Sequence, residues 1–539
     1  MNDQVGKTLD TLTSESASAL RNGEYTVAIR VASEIIRRQP NHAEAHAVQF
    51  SALLKEKKFE KARSIGTLTA KLNPKSLFIL NNQARLQLEA KQPAAAVGLL
   101  KSLIDQFGER SHWLYNLALA QRMIANYDYS ISMFRRTLDH QPEHELAASQ
   151  LADCLRAAGK QEEAVSAYNY VRLLRNKHAP SHSHYIHSAV INNSITPADL
   201  KNELNLWQER FIPKNKRYTC TTPHNKNKLN IGFLIGALPL SWLQSIAAPI
   251  INCLSQKNDL ITVYWHDKTG PAGLFNDNVT VVLSAGLTDS EFSKHVRADK
   301  IDVMIDVCGM RLGNRQRPLG LQLAHKQYGW LAHEGQYASK AVNIIEHSLG
   351  KQRFFIAGTE TSINSLPANT FSGIGCSKGL SYSVIKIWAQ ILHLSPTWNL
   401  HLDVTDRSVK NNLIQRFEEL GIHKNRLIFN PKLSPSYGQL VLDNFLNNDP
   451  VAAYSAISSG SILLTLKGQL FPAAQNAALL QQLNKTEWLC RTPAHLVECA
   501  TLFTNNKLTF TPINQTQLKN SEVHNLESFT VKFRQAISS

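Results

Sequence analysis

The chain has 539 residues, of which 43% are hydrophobic and 19% charged, and its formal net charge at pH 7 is +16. The composition is typical of a globular protein, and the length suggests roughly three or four domains. No apolar run approaches the ~18 residues of a membrane span, and the first residues lack a secretory pattern. We therefore expect a cytoplasmic protein. The positive charge favours acidic partners, but the basic residues are dispersed rather than clustered, which argues against nucleic acid.

A 34-residue period organises the first third of the chain. Small residues and helix-ending residues each recur at this step: Ala28, Ala62, Ala96, Ser130 and Ala164, and then Pro40, Pro74, Gly108 and Pro142. This period is typical of tetratricopeptide repeats, which are stacked pairs of antiparallel helices. We therefore predict an α-solenoid of about five repeats over 10–175, whose concave surface binds a protein.

The stretch 176–227 is rich in histidine and polar residues, including His178, His182, His184 and His187. The spacing of these histidines is irregular and no carboxylate or cysteine joins them, so we interpret the stretch as a polar linker or helical connection rather than a metal site. The seven cysteines of the chain form no CxxC pair, which argues against both a disulfide framework and a zinc site.

From residue 228 onward, short apolar runs alternate with helical segments. In the first half, 228–365, we predict strands over 229–235, 260–265, 279–283, 301–306 and 328–331, and helices over 241–255 and 289–298. In the second half, 366–539, we predict strands over 399–403, 426–429, 439–442 and 462–466, and helices over 382–393, 407–420, 450–459 and 472–483. This alternation predicts two Rossmann-like α/β domains with parallel sheets, in which ligands bind at the carboxyl ends of the strands.

Four segments of these halves carry a resemblance to a known family. They are LNIGFLIGALPLSWL, DKIDVMIDVCGMRLGNRQRPLGLQLAHKQYGWLAHEG, YSVIKIWAQILHLSPTWNLHL and GQLVLDNFLNN. Their order after tetratricopeptide repeats resembles the O-GlcNAc transferases and their SPINDLY-like relatives, over roughly residues 228–505. The resemblance implies a GT-B pair of domains that closes on a nucleotide sugar, linked to UDP or GDP. It also implies inverting, metal-independent transfer, without a further cofactor, to Ser or Thr of a protein held by the repeats.

The family's functional positions are matched less closely than its strands. Two loop histidines of the family correspond here to Leu238 and Trp242, and its Thr-rich segment near the diphosphate corresponds to 450–455. Its donor-side lysine falls on Gly379, with Lys378 adjacent. The helix that we predict from Pro450 could still cradle a phosphate through its free N–H groups.

Several polar residues follow predicted strand ends and are candidates for the site. His333 and Glu334 are candidates for catalysis, because an acceptor hydroxyl must lose its proton. The basic residues are candidates for donor binding, because negative charge grows on the leaving diphosphate. These donor-binding candidates are Lys378, Arg311, Arg315, Arg317 and Lys467.

The sequence leaves three hypotheses open. The first is a divergent protein O-glycosyltransferase. The second is a catalytically inactive, transferase-like scaffold that acts through its repeats, and the loss of the family's imidazoles and hydroxyls favours it. The third is an adaptor for nucleic acid or a membrane surface, based on the net charge alone. Binding of a nucleotide separates the first hypothesis from the second.

Overall fold

The structure is a computed structural model that describes residues 7–213, 218, 228–267, 269–311, 313–331, 342–344, 355–357, 364–367, 369–429 and 436–538. The chain divides into two compact units, Met1–Cys154 and Leu155–Ser539. Among the described residues, no helix has both the length and the apolar character needed to cross a membrane.

The first unit consists of paired helices. They are α1 (Leu9–Arg21), α2 (Tyr25–Arg38), α3 (Ala43–Lys55), α4 (Phe59–Leu72), α5 (Leu77–Glu89), α6 (Pro93–Phe107), α7 (Ser111–Met123), α8 (Tyr127–His140) and the start of α9 (Glu145–Ala157). The small residues of the 34-residue period, such as Ala28 and Ala96, are fully buried. A larger side chain at these positions would push neighbouring helices apart.

The turns between paired helices contain a third set of residues that recurs at the 34-residue step, a ladder that sequence analysis did not identify. Six residues at this step have a positive φ, between 50° and 80°: Gly23, Lys57, Lys91, Ala125, Gly159 and Asn193. Only two of the six are glycine, so the other four, Lys57, Lys91, Ala125 and Asn193, adopt a left-handed conformation that L-residues disfavour. The ladder runs one repeat further along the chain than the five repeats that we predicted.

The additional turn, at Asn193, lies within the His-rich stretch. Helices α10 (Gln161–Leu174), α11 (Ala179–Ile191) and α12 (Pro197–Phe211) belong to the second unit, and α11 and α12 lie in the stretch 176–227, which we interpreted as a polar linker or helical connection. His182 on α11 is buried, and its Nε2 lies 2.6 Å from Glu203 Oε2, which also pairs with Arg172 at 3.0 Å. The hydrogen bond from His182 is the main cause of the lowered pKa of Glu203. This buried histidine therefore belongs to a network with a half-buried ion pair between Arg172 and Glu203.

The first half of the α/β region contains a parallel sheet in the order β3-β2-β1-β4-β5-β6. Its strands are β1 (Asn230–Ile235), β2 (Leu260–Trp265), β3 (Val279–Leu283), β4 (Val303–Asp306), β5 (Lys326–Gly329) and β6 (Asn343–Ile344). Its helices are α13 (Leu240–Trp242), α14 (Ala248–Ser255), α15 (Asp289–Ala298) and α16 (Gln316–Gly320), and a π-helical turn over Leu243–Ala247 joins α13 to α14.

The second half repeats this strand order. A two-stranded pair, β7 (Asn364–Ser365) with β11 (Ser436–Tyr437), accompanies a parallel sheet in the order β10-β9-β8-β12-β13-β14. The strands of the sheet are β8 (Thr370–Ile374), β9 (Asn399–Leu402), β10 (Leu427–Phe429), β12 (Leu440–Asp443), β13 (Ile462–Leu466) and β14 (Leu489–Cys490). The helices are α17 (Tyr382–Leu394), α18 (Arg407–Glu419), α19 (Pro450–Ser458), α20 (Gln475–Gln482), α21 (Pro493–Thr504), α22 (Gln515–Lys519) and α23 (Leu526–Ser538).

The predicted fold class, a helical-repeat region followed by two parallel α/β sheets, is confirmed. Among the features that differ from the sequence prediction, two concern how the sheets and halves are arranged. Strand β8 lies at the centre of the second sheet but was not predicted. The C-terminal helix α23, which falls in the predicted second half, packs against the first: Arg534 pairs with Asp259 at 2.9 Å, and the rings of Phe533 and Trp330 lie 4.8 Å apart. One continuous apolar core joins both halves.

Candidate functional site

Each sheet has a topological switch point, where the strand order reverses direction along the chain. In the first sheet this point lies between β1 and β4, and in the second between β8 and β12. The loops that leave the carboxyl ends of these strands run in opposite directions, which opens a crevice for a ligand. The segments after β1, β4, β8 and β12 therefore define the candidate site.

A contact between the two halves lies at this site. Trp242, which ends α13 after β1, donates its indole Nε1–H to Asp449 Oδ1 at 3.1 Å. Asp449 precedes α19 after β12, and the same carboxylate oxygen accepts hydrogen bonds from the N–H groups of Val451 at 3.1 Å and Ala452 at 3.2 Å. Trp242 is one of the positions where the resembled family has histidine.

The contacts of Asp449 account for the hydrogen-bond donors at the start of α19. Pro450 has no N–H, Val451 and Ala452 donate to the Asp449 side chain, and Ala453 donates to the Asp449 carbonyl at 2.9 Å. The carboxylate of the chain itself therefore occupies the place where we predicted that free N–H groups would hold a phosphate. Burial raises the pKa of Asp449 above the ordinary aspartate value.

Arg311 lies close to the same indole. Its guanidinium carbon is 6.0 Å from the centroid of the Trp242 ring, at the limit of a cation–π contact. Its NH1 donates to the carbonyls of Val307 at 3.3 Å and Leu331 at 3.2 Å. Trp242 thus contacts both Arg311, on the loop after β4, and Asp449, at the start of α19.

Arg315 and Arg317 lie elsewhere, and both pair with Asp289 at the start of α15. Arg315 is buried; it contacts Asp289 at 3.1 Å and donates to the carbonyls of Ser284 at 2.9 Å and Leu287 at 3.0 Å. Arg317 is exposed and lies 3.4 Å from Asp289. The structure therefore groups these two arginines beside β3, an edge strand, and not with Arg311.

The two lysine candidates are exposed at carboxyl ends of the second sheet. Lys378 follows β8, and Lys467 follows β13, next to β12. The backbone carbonyl of Lys378 accepts a hydrogen bond from the side chain of Gln161 on α10, so a helix of the repeat series holds this loop. His333 and Glu334 lie outside the described residues.

Close backbone packing supports the same loop. Gly159 and Gly379 both have a positive φ, and a Cβ added to Gly379 would lie 2.6 Å from the Cα of Gly159. Glu162 on α10 also pairs with Arg416 of α18 at 3.0 Å. The glycine that occupies the position of the family's donor-side lysine is therefore required for packing.

Two buried carboxylates occupy equivalent positions at the ends of β4 and β12. Asp306 accepts hydrogen bonds from the N–H of Cys308 at 2.8 Å and from Gln316 Nε2 at 2.7 Å. Asp443 accepts from Asn448 Nδ2 at 2.7 Å and from the hydroxyl of Thr465. Burial raises the pKa of each aspartate to about 7, although the hydrogen bonds from Cys308 and Gln316 to Asp306, and from Thr465 to Asp443, act in the opposite direction. Sequence analysis did not select either group, because Asp306 reads only as the last residue of an apolar strand and Asp443 as the residue after one.

Comparison with known proteins agrees with this architecture. A family model for the tetratricopeptide repeat matches residues 15–76. No curated protein sequence matches the chain. Among solved structures, a mutant O-GlcNAc transferase of Thermobaculum terrenum aligns over 85% of this chain and 97% of its own, with a TM-score of 0.67 and 18% identity. At this identity the likeness concerns the fold, and it confirms the fold that the sequence resemblance implied.

Two other solved structures match a smaller part of the chain. MamA from Desulfovibrio magneticus RS-1 is 20% identical, covers 32% of this chain and 97% of its own, and gives a TM-score of 0.30. PilF of Pseudomonas aeruginosa is 20% identical, covers 37% of this chain and 95% of its own, and gives a TM-score of 0.32.

Proposed function

We propose that the chain is a protein O-glycosyltransferase. It moves a sugar from a nucleotide-sugar donor, linked to UDP or GDP, to a Ser or Thr hydroxyl of a protein that the repeats bind. The observation that carries the proposal is the meeting of two switch points within one compact unit, with the basic residues Arg311 and Lys378 on the loops after β4 and β8. A crevice of this kind is the expected place for a nucleotide in a pair of doubly wound sheets.

The proposed reaction defines a role for each candidate. The acceptor oxygen attacks the anomeric carbon while the bond from that carbon to the diphosphate oxygen breaks, and Lys378, Arg311 and Lys467 neutralise the charge that grows on the diphosphate. His333 or Glu334 takes the acceptor proton. In this scheme Arg315 is a positioning residue, because its contacts with Ser284, Leu287 and Asp289 anchor the loop after β4, and Arg317 is a peripheral cation.

A second function, a non-catalytic scaffold that binds its partner through the repeats, is favoured by one observation. The Asp449 carboxylate occupies the N-terminus of α19 and is held there by Trp242. A donor diphosphate at this helix end would meet a negative charge at the place where the helix dipole would otherwise attract it.

Thermal unfolding of the full chain with a panel of nucleoside diphosphates and nucleotide sugars tests the proposal. A ligand at 100 times its dissociation constant stabilises the folded form by about 2.7 kcal/mol. We expect a shift with one nucleotide, reduced in Lys378→Ala and retained in the control Lys424→Ala. Lys424 is an exposed lysine that precedes β10, an edge strand of the same sheet. If cooperative unfolding shows no shift with any nucleotide, the transferase proposal fails and the scaffold remains.

A further inference from the structure

Three potential metal ligands lie together in the second half, on β14 and α21. Cys490, His495 and Cys499 each offer one ligand atom, and these atoms all lie within 4.8 Å of one another. Cys490 ends strand β14, whereas His495 and Cys499 are four residues apart on α21 and so face the same side of that helix. Among the described residues, this is the one group of three or more His, Cys, Asp or Glu side chains with such spacing.

The local structure holds these side chains in place without a metal. The hydroxyl of Thr492 caps α21 by accepting from the N–H of His495 at 3.1 Å, and Pro493 begins the helix. Both cysteines are buried, and the neighbouring Leu496 and Ala500 belong to the core shared by the two halves. The thiols are thus positioned by packing, while His495 is partly exposed and leaves a route for an ion from solvent.

We propose that Cys490, His495 and Cys499 bind a thiophilic cation of the Zn²⁺ type, which joins strand β14 to helix α21. Two thiolates and an imidazole are donors that Zn²⁺ prefers, whereas cations such as Mg²⁺ prefer carboxylate oxygens. Water or an external ligand completes the tetrahedral coordination on the exposed side. The cluster draws its ligands from a strand and a helix, with the spacing C-x4-H-x3-C, and a search for CxxC pairs does not detect it.

Binding of the cation requires defined proton movements. Each thiol loses its proton to solvent and becomes a thiolate. His495 Nδ1 now accepts from the N–H of Arg491 at 3.1 Å, so the neutral ring carries its proton on Nε2. Binding through Nδ1 displaces the Arg491 N–H directly, and binding through Nε2 moves the ring proton to Nδ1; in either case the Arg491 contact is replaced. One neutral hydrogen bond is lost, and two metal–thiolate bonds and one metal–imidazole bond are gained.

Metal content and cobalt binding of the full chain, purified under reducing conditions, test the proposal. We expect about one Zn²⁺ per chain, and, after exchange into Co²⁺, the thiolate charge-transfer band and the visible bands of a tetrahedral site. Cys490→Ser, Cys499→Ser and His495→Gln should weaken or abolish these signals. Cys253→Ser is the matched control, because this free cysteine lies on α14 in the first half, and it should keep them.

His495→Gln keeps the test decisive if a cysteine variant fails to fold, because this side chain is partly exposed. The proposal is overturned if reduced wild-type protein takes up neither Zn²⁺ nor Co²⁺, or if His495→Gln and the cysteine variants bind Co²⁺ as tightly as wild type. It is also overturned if peptide mapping shows a Cys490–Cys499 disulfide and the reduced protein binds no metal. None of these results depends on glycosyl transfer.

Discussion

Replacement of Asp449 by asparagine tests whether the chain itself excludes an anion from the crevice. Asparagine keeps the oxygen that accepts from Trp242, Val451 and Ala452, and it caps helices about as well as aspartate, so α19 should remain intact. The substitution removes one negative charge at the helix N-terminus. We therefore expect Asp449→Asn to fold like wild type and to bind nucleoside diphosphates more tightly.

The size of the effect follows from Coulomb's law. A unit charge pair about 4 Å apart near a protein surface interacts by about 4 kcal/mol at an effective dielectric constant of roughly 20. Asp449 is half-buried: desolvation is enough to raise its pKa, but the remaining exposure lets solvent and salt screen this repulsion, and we expect about half of it. About 2 kcal/mol corresponds to a roughly 30-fold decrease in Kd.

Isothermal titration of UDP and GDP into both proteins measures this difference, and pH supplies a second test. Since burial raises the pKa of Asp449, acidification neutralises the carboxylate at a higher pH than for an ordinary aspartate. Binding by wild type should therefore strengthen as the pH falls, whereas binding by Asp449→Asn should change less. The matched control is Asp406→Asn, because Asp406 caps α18 through the N–H groups of Ser408 and Val409. Equal affinities of wild type and Asp449→Asn at neutral pH and at acidic pH would refute the reasoning.

Three further predictions concern stability. Asp443 has a pKa of about 7 in the folded chain and about 3.8 when unfolded. Wild type should therefore lose up to about 3 kcal/mol of unfolding free energy between pH 5 and pH 8 relative to Asp443→Asn. If urea unfolding shows the same change between the two pH values for both proteins, the prediction is contradicted. Ala125→Gly should raise the thermal midpoint of the repeat unit, because glycine relieves about 1 kcal/mol of left-handed strain; a lowered midpoint argues against it. Gly379→Ala should lower the free energy of chemical unfolding by about 2–4 kcal/mol, because its Cβ would clash with Gly159. Gly460 also has a positive φ but open space around it, so Gly460→Ala should lower it by about 1 kcal/mol. Equal costs of the two substitutions would exclude the clash.

The candidate site was predictable in part. The resemblance and the strand pattern located the loops that carry Arg311 and Lys378, because residues at strand ends can be assigned from local alternation. The same reasoning grouped Arg315 with Arg311, although Arg315 is held by Ser284 and Asp289, on segments more than 20 residues earlier in the chain. The pairing of Trp242 with Asp449 joins residues 207 positions apart, and no local pattern indicates it.

The sequence by itself determined the elements whose signal is periodic: the helices of the repeats and the apolar strands of both sheets, because burial of one face or of a whole strand requires regularly placed apolar residues. It did not indicate β8, whose residues Thr370–Ile374 include a serine and a glycine, or the return of α23 to the first half. Only the tertiary structure decided which distant residues meet. Examples are Trp242 with the Asp449 carboxylate before α19, Gly159 with Gly379, and Cys490 with Cys499. These features depend on packing between distant segments, and such contacts leave no regular spacing in the chain.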